Sequence, residues 1–313
     1  MIRHVTRKLL QLLIVLFLAS VLTFLLIQIS PGDPATMFLT SKGTMPTEEL
    51  LDQTREEMGL NKPVIVQYAQ WITGALKGDL GISYHLKVSV SDLLSQRLMM
   101  TVKLAVTAFV FLLFFSTVLG ILSAVYKGKW LDYIIRGLAL MGISIPNFWL
   151  GLILIYAFVV KVHIFKLTDT TSVSSVVLPA VTIAIPMVGR YTRQIRSVVL
   201  EESKADYVSG ARAKGISEGK IYLSYILPNG MKQLITLFGL SVAGLLGGTV
   251  IVENIFAWPG IGALAVEAIT YRDYPLLQGY VLLMALIYVT VNLFADLLTQ
   301  SLDPRLRGGG AHE

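Results

Sequence analysis

Five long stretches of the chain contain no Asp, Glu, Lys or Arg: Leu9 to Ile29, Leu104 to Tyr126, Gly137 to Val160, Gln233 to Val252 and Pro275 to Ala295. A bilayer core of about 30 Å and a helical rise of about 1.5 Å per residue require roughly 20 apolar residues per crossing, so each stretch predicts a membrane-spanning helix. A sixth apolar run, Val173 to Gly189, is shorter and carries Pro179 and Pro186. It counts as a span because of what flanks it.

Basic residues supply that support, since cytoplasmic loops concentrate Lys and Arg near helix ends. They cluster at Arg3, Arg7 and Lys8; at Lys127, Lys129 and Arg136; along the segment from Arg190 through Arg193, Arg196, Lys204, Arg212, Lys214 and Lys220 to Lys232; and at Arg305 and Arg307. Six spans put all four clusters on one side, with both termini cytoplasmic; five would split the long basic segment from the tail. The predicted order is then a cytoplasmic N-terminus (1–8), TM1 (9–29), an extracytoplasmic segment (30–103), TM2 (104–126), TM3 (137–160), TM4 (173–189), a cytoplasmic coupling segment (190–232), TM5 (233–252), an external gate-like segment (253–274), TM6 (275–295) and a cytoplasmic tail (296–313). One permease domain occupies roughly 95–300. The fold class expected is all-α, a polytopic membrane protein with six transmembrane helices.

Composition agrees, with 54% hydrophobic residues, 15% charged residues and a mean hydropathy of +0.68. The net charge of +6 reads as topology, and no nucleic acid is expected as a partner. The first apolar run follows a basic start as a signal peptide would, yet it is too long for a signal core and no small-x-small cleavage site follows; it is read as a retained anchor. Without cysteine there are no disulfides and no thiolate metal sites. His4, His85, His163 and His312 are scattered, and no phosphate-loop sequence occurs, so no catalytic, cofactor or metal residues are assigned. Five spans lack ionisable groups, which disfavours an ion-coupled secondary transporter or channel, although the prolines of the third and fourth spans leave room for a carbonyl-built ion site. A membrane scaffold is the third class in view.

Outside the membrane, Ser30-Pro-Gly-Asp-Pro34 turns the chain, Thr47 can cap a helix that Gly59 ends, and Pro63 to Leu76 can form a helix with Val64, Tyr68, Trp71, Ile72 and Leu76 on one apolar face. A cap packed on the spans is the preferred reading; a docking surface for an external partner is the other. Gly239, Ala243 and Gly247 recur every fourth residue in the fifth span, with Gly244 and Gly248 beside them. They allow close helix packing or leave room for a pathway. Beyond them lie Glu253, Phe256, Trp258, Pro259 and Gly260, where the two aromatics can plug or line an outer mouth and the Pro-Gly pair bends the helix.

The cytoplasmic segment carries the sharpest signal. Asp206, Tyr207, Ala211, Arg212, Ala213 and Lys214 suit a short helix, Gly215 the left-handed position after its end, and Ser217 the cap of a second helix running toward Leu227, where Pro228 stops or bends it. Tyr207 and Ala211, four apart, can share a face that enters a partner groove. This pattern resembles the coupling motif of ABC importer permeases: E-A-A, three residues, Gly, nine residues, Ile, one residue, Leu-Pro. Ser209-Gly210-Ala211 stands at E-A-A, Gly215 at the glycine, and Tyr225, Leu227 and Pro228 at the end; Ser209, Gly210 and Tyr225 depart from the consensus. Pro31-Gly32-Asp33-Pro34, Gly59-Leu60 with Gln67-Tyr68, Gly78-Asp79-Leu80-Gly81, Pro146-Asn147-Phe148-Trp149, Trp258-Pro259-Gly260-Ile261-Gly262 and Asp303-Pro304-Arg305-Leu306-Arg307 resemble the dipeptide, oligopeptide and nickel branch in order and spacing.

The resemblance implies the ABC type I importer fold in a bacterial plasma (inner) membrane. It also implies a second homologous permease, two cytoplasmic ATPase subunits that use ATP and Mg, and an extracellular or periplasmic substrate-binding protein; this chain would bind no cofactor and touch only lipid besides. The Pro146-Asn-Phe-Trp stretch, the Glu253-Asn254-Ile-Phe run and Arg272-Asp273-Tyr274-Pro275 resemble nickel permeases more than peptide ones. Nickel or a nickel chelate is the expected cargo, with di- or oligopeptides as the alternative.

Overall fold

A computed structural model of the chain describes residues 2–29, 32–166 and 173–302. The described residues form thirteen α-helices and two short π-helical stretches, joined by turns and loops. Among the described residues, four helices are long and apolar enough to span a membrane on their own, and a bent helix pair adds a fifth candidate. The chain divides into two compact units, Met1–Thr101 with Pro259–Thr290, and Val102–Trp258 with the chain from Val291 onward.

In the first unit, α1 (Ile2–Ile29) contains the first apolar run. The turn after it leads into a helix that the apolar pattern does not show: α2 (Pro34–Ser41) has Pro34 in its first turn and Asp33 as its cap, accepting from the Ala35 amide at 3.2 Å and the Thr36 hydroxyl at 3.1 Å. Arg55 of α3 (Glu48–Glu57) donates Nε and Nη2 to the same carboxylate at 3.0 and 2.8 Å. Burial pushes the Asp33 carboxyl up, but the hydrogen bonds from Arg55, Ala35 and Thr36 outweigh it and hold the group below its ordinary value. Gly59, at φ +68°, ends this helix region as expected.

Helix α4 (Val64–Leu76) lies against the C-terminal half of α1. The Ser20 and Tyr68 hydroxyls are 2.8 Å apart, and Phe24 meets Tyr68 edge-on at 5.3 Å and Trp71 at 6.4 Å. Val64 and Leu76 are exposed, so the predicted five-residue apolar face is buried only in part.

The core of the unit gathers Val90 and Leu94 at the start of α5 (Val90–Val125), Ile261, Leu264 and Ala268 of α12 (Ile261–Thr270), and Leu276 of α13 (Tyr274–Leu302). Fully buried Asp273 starts α13: it accepts from the Ser83 hydroxyl at 2.5 Å, the His85 amide at 3.0 Å and the Leu276 amide at 3.4 Å. Three donors compensate the desolvation of one carboxylate.

In the second unit, α6 (Trp130–Ser144) and α7 (Asn147–Leu154), with its π-helical continuation Ile155–Lys161, cover the third apolar run. The pair bends by 105° at Ile145-Pro146. Proline disfavours the helical conformation of the residue before it, and Ile145 is extended at φ −85°, ψ 125°.

Pro179 and Pro186 have the opposite outcome, for α8 (Val173–Glu202) runs through both. Close packing with α6 holds it, with Gly142 of α6 against Ile185 and Gly189 of α8 against the backbone of Ala139. It extends well beyond the predicted end at 189, because no Gly or Pro interrupts Arg190 to Glu202. For the same reason α5 begins ahead of its apolar run. The fifth predicted span lies within α11 (Leu227–Ile255) and the sixth within α13.

Candidate functional site: the coupling corner

After α8 ends, α9 (Asp206–Ala213) is capped by Lys214, and Gly215 turns the chain at φ +74° into α10 (Glu218–Ile221). No atom lies within 4 Å of where a Gly215 Cβ would stand, so conformation rather than crowding selects glycine here. Ser217 occupies the cap position of α10 but makes no side-chain capping bond. Arg212 closes the corner by donating Nε and Nη2 to the Glu218 carboxylate at 2.7 and 3.2 Å. That hydrogen bonding keeps the Glu218 carboxyl below its ordinary value. Both groups are exposed, so the pair shapes the corner more than it stabilises the protein.

The proposed Tyr207–Ala211 face is divided. Ala211 is buried with Val208 in the chain's own core, because α9 turns that side inward. Tyr207 is exposed, and its hydroxyl donates to Glu202 Oε1 at 2.5 Å. Burial of part of the phenol and then this bond to a carboxylate raise its pKa. Asp206, Tyr207, Ser209, Gly210, Arg212, Ala213, Lys214 and Gly215 form the exposed side of the corner.

Pro228 does not stop the helix. The chain passes from α10 through a π-helical turn, Tyr222–Ile226, into α11, with Pro228 in the first turn of α11. The wider turn accommodates a residue with no N–H to give and a ring that crowds the preceding turn. The corner is therefore joined to the apolar run of α11 by continuous helix. Its core runs through Tyr191, Ile195 and Val199 of α8, Val208 and Ala211 of α9, Ile221 and Ile226, and Leu234 and Phe238 of α11. Partly buried Leu227 packs against the same cluster.

A clamp that the motif gave no sign of braces the lower end of α8. Arg196 donates Nε and Nη2 to the two oxygens of Asp132, each at 2.9 Å, and Asp132 also accepts from the Ser123 hydroxyl at 2.6 Å and the Gly128 amide at 3.0 Å. Asp132 is 1% exposed. The one sequence hint is an acid within the basic link between the second and third spans.

At the other end of α11, Phe256 and Trp258 are 3% and 2% exposed, and Glu253 is fully buried. Phe256 packs over Gly151. Ala257 at φ +48° and the Trp258 amide bond to the Glu253 carbonyl at 2.8 Å end the helix without a glycine. In the first unit, Pro259 precedes Gly260, which opens α12, and the Ile261 amide donates to the Thr101 hydroxyl at 2.8 Å. Gly239, Ala243 and Gly247 fall in α11, with the surroundings of Ala243 and Gly247 outside the described residues; Gly244 is exposed with open space beside it. The resembling Asp303 to Arg307 stretch and Pro31 also lie outside the described residues.

Residues 116–308 match the family model of the binding-protein-dependent transport system inner membrane component, and residues 1–107 match the model of the N-terminal part of such membrane components. The chain belongs to this family. As an ABC importer permease it is 34% identical over 307 residues to the glutathione transport system permease protein GsiC of Escherichia coli (strain K12), covering 98% of this chain and 99% of that one. It is also 34% identical over 310 residues to the metal-staphylopine import system permease protein CntB of Staphylococcus aureus (strain NCTC 8325 / PS 47), covering 99% of each. The permease fold matches a solved structure of the MetNI methionine ABC transporter in an inward-facing conformation, with a TM-score of 0.56 and 18% identity over 67% of this chain and 96% of that one. The all-α, multi-pass membrane architecture expected of a type I importer permease is thus the fold of this chain.

Proposed function

We propose that this permease works by alternating access, with the exposed side of the α9–Gly215–α10 corner seated in a cleft of a cytoplasmic ATPase subunit. The observation that carries the reading is the shared core: the corner, α8 and α11 are one packed body within their unit, so a push on Arg212, Ala213 or Lys214 moves the membrane-embedded parts of α8 and α11. Asp206 and Tyr207 present the contact surface, Ala211, Leu227 and Pro228 anchor it, and ATP closure of the ATPase pair supplies the differential contact that coupling requires. ATP and Mg belong to those partners. A second permease, two ATPases and an external binding protein complete the assembly in the inner membrane, with both termini cytoplasmic. Gly239, Ala243 and Gly247 are proposed to border the pathway, while Glu253, Phe256 and Trp258 brace its outer end.

For the cargo we propose nickel carried as an organic chelate; the metal-staphylopine relative supports this reading. A small peptide is the second reading, favoured by the glutathione relatives. Uptake of radiolabelled nickel with and without a chelator, beside a labelled dipeptide, in cells with and without this chain, separates them. Loss of chelator-dependent nickel uptake alone is expected. Loss of dipeptide uptake alone would replace the cargo and leave the coupling reading standing.

A further inference from the structure

Helix α4 touches α1 at Ser20, Phe24 and Gln28. The Ser20 hydroxyl donates to the Phe17 carbonyl at 2.7 Å, which leaves Tyr68 as the donor of the 2.8 Å bond between them. The Phe24 ring meets Tyr68 and Trp71, and Gln28 Nε2 donates to Gln67 Oε1 at 3.2 Å. The apolar run of α1 from Leu10 to Ile29 is long enough for one crossing, so Ile29 marks the edge of the hydrocarbon. At about 1.5 Å per residue, Phe24 then stands about 7 Å inside that edge and Ser20 about 13 Å, close to mid-depth. A helix centred at the height of Phe24 does not stand clear of the lipid.

The sequence of α4 suits that place. No charged residue occurs from Pro63 to Leu76, and Lys62 and Lys77 flank the helix. Successive residues of a helix are about 100° apart, so the step from Gln67, which reaches toward the end of α1, to Tyr68, which reaches toward its middle, sets the sense of rotation. The next side in that sense carries Ile65, Ala69, Ile72 and Leu76 and faces the bilayer centre. The opposite side carries Gln67, Gln70 and Gly74. Ile65 and Leu76 are each 81% exposed, and α4 has no buried residue. An apolar crevice of about 170 Å³ opens where the deep side meets α1, with Val21 and Leu25 on one wall and Val64 and Ile65 on the other. The polar side is satisfied within the chain: Lys62 donates to Gln70 at 3.2 Å, and Gln67 Nε2 donates to the carbonyls of Leu60 and Lys62 at 3.0 and 2.8 Å. Two carbonyls at the helix entry therefore have partners without water.

We propose that α4 is an interfacial membrane helix, lying across α1 in the leaflet where α1 ends, with Ile65, Ile72 and Leu76 among phospholipid acyl chains and Lys62 and Lys77 at the level of the phosphates. Such helices bury their apolar face about 5 to 10 Å into the boundary between headgroups and chains, which is the depth that the packing on α1 gives. Part of the segment between the first two apolar runs is then inside the bilayer, and the turns around it are held against the membrane. The proposal rests on α1 as a span and is independent of cargo and of coupling.

The chain has no cysteine, so Ile65→Cys, Leu76→Cys and Gln70→Cys can each carry a single nitroxide. The labelled chain is assembled with cysteine-free partner subunits in nanodiscs of phosphatidylethanolamine and phosphatidylglycerol. Oxygen concentrates in hydrocarbon and chromium oxalate stays in water, so the ratio of their collision rates with the nitroxide reports lipid contact. A ratio severalfold higher at positions 65 and 76 than at 70 is expected. Frequent collision with chromium oxalate at 65 would put that side in water, and rare collision with both reagents would put it under a protein subunit; either result overturns the proposal. Leu22→Cys, on an exposed side of α1, is the reference for a span. A lipid signature at 22 with a water signature at 65 would sink the α4 proposal alone, whereas water signatures at both would also remove α1 as a span.

Discussion

Replacing Arg196 with Met is expected to destabilise the second unit by about 3 to 5 kcal/mol, the usual consequence of removing one partner of a buried ion pair. Asp132 is 1% exposed and would keep only the Ser123 hydroxyl and the Gly128 amide against the desolvation of its charge. The loss is read as a lower midpoint of thermal inactivation of the assembled transporter. Asp132→Asn combined with Arg196→Met should recover part of it, because no unpaired charge is then left inside. A single variant as stable as the parent would show that the clamp contributes little.

Gly215→Val is expected to separate ATP hydrolysis from uptake. At φ +74° a non-glycine residue costs about 1 to 2 kcal/mol, and a β-branched one is a marked outlier there. No neighbour lies within 4 Å of the added Cβ, so insertion and folding of the rest of the chain should survive. Only the direction of α10 relative to α9 changes. Uptake should fall by about tenfold or more while ATPase activity persists. Gly215→Asn, which tolerates the left-handed region, should retain most of the coupling. Equal uptake by Gly215→Val and the parent would remove the corner from the mechanism.

Hydropathy made the long apolar helices legible because lipid exposure demands continuous apolar surface, and Gly59 and Gly215 were legible because left-handed turns select glycine. Helix extensions were hidden. Residues 90–103 and 190–202 carry charges that look like loop to a hydropathy window, yet nothing in them breaks a helix.

Proline was ambiguous for a related reason. Pro146 breaks its helix and Pro179, Pro186 and Pro228 do not, and the difference lies in tertiary packing and a π-helical turn rather than in the residue. The spacing of Tyr207 and Ala211 gave a common helix side but not which way it points; Val208, one position on, belongs with Ala211 in the core. Arg212 with Glu218 and Asp132 with Arg196 are pairs that only the folded chain brings together, across a corner and across 64 positions.

The chain contains no cysteine, so a single one at exposed Lys214 would be a clean probe of the coupling claim. Lys214→Cys, treated with a short bifunctional thiol reagent in membranes containing the whole transporter and cysteines introduced along the ATPase cleft, should give a permease–ATPase cross-link whose yield changes when ATP is added. No cross-link to the ATPase in either nucleotide state, with Lys214→Cys labelled only by reagents confined to the outer face, would contradict the account.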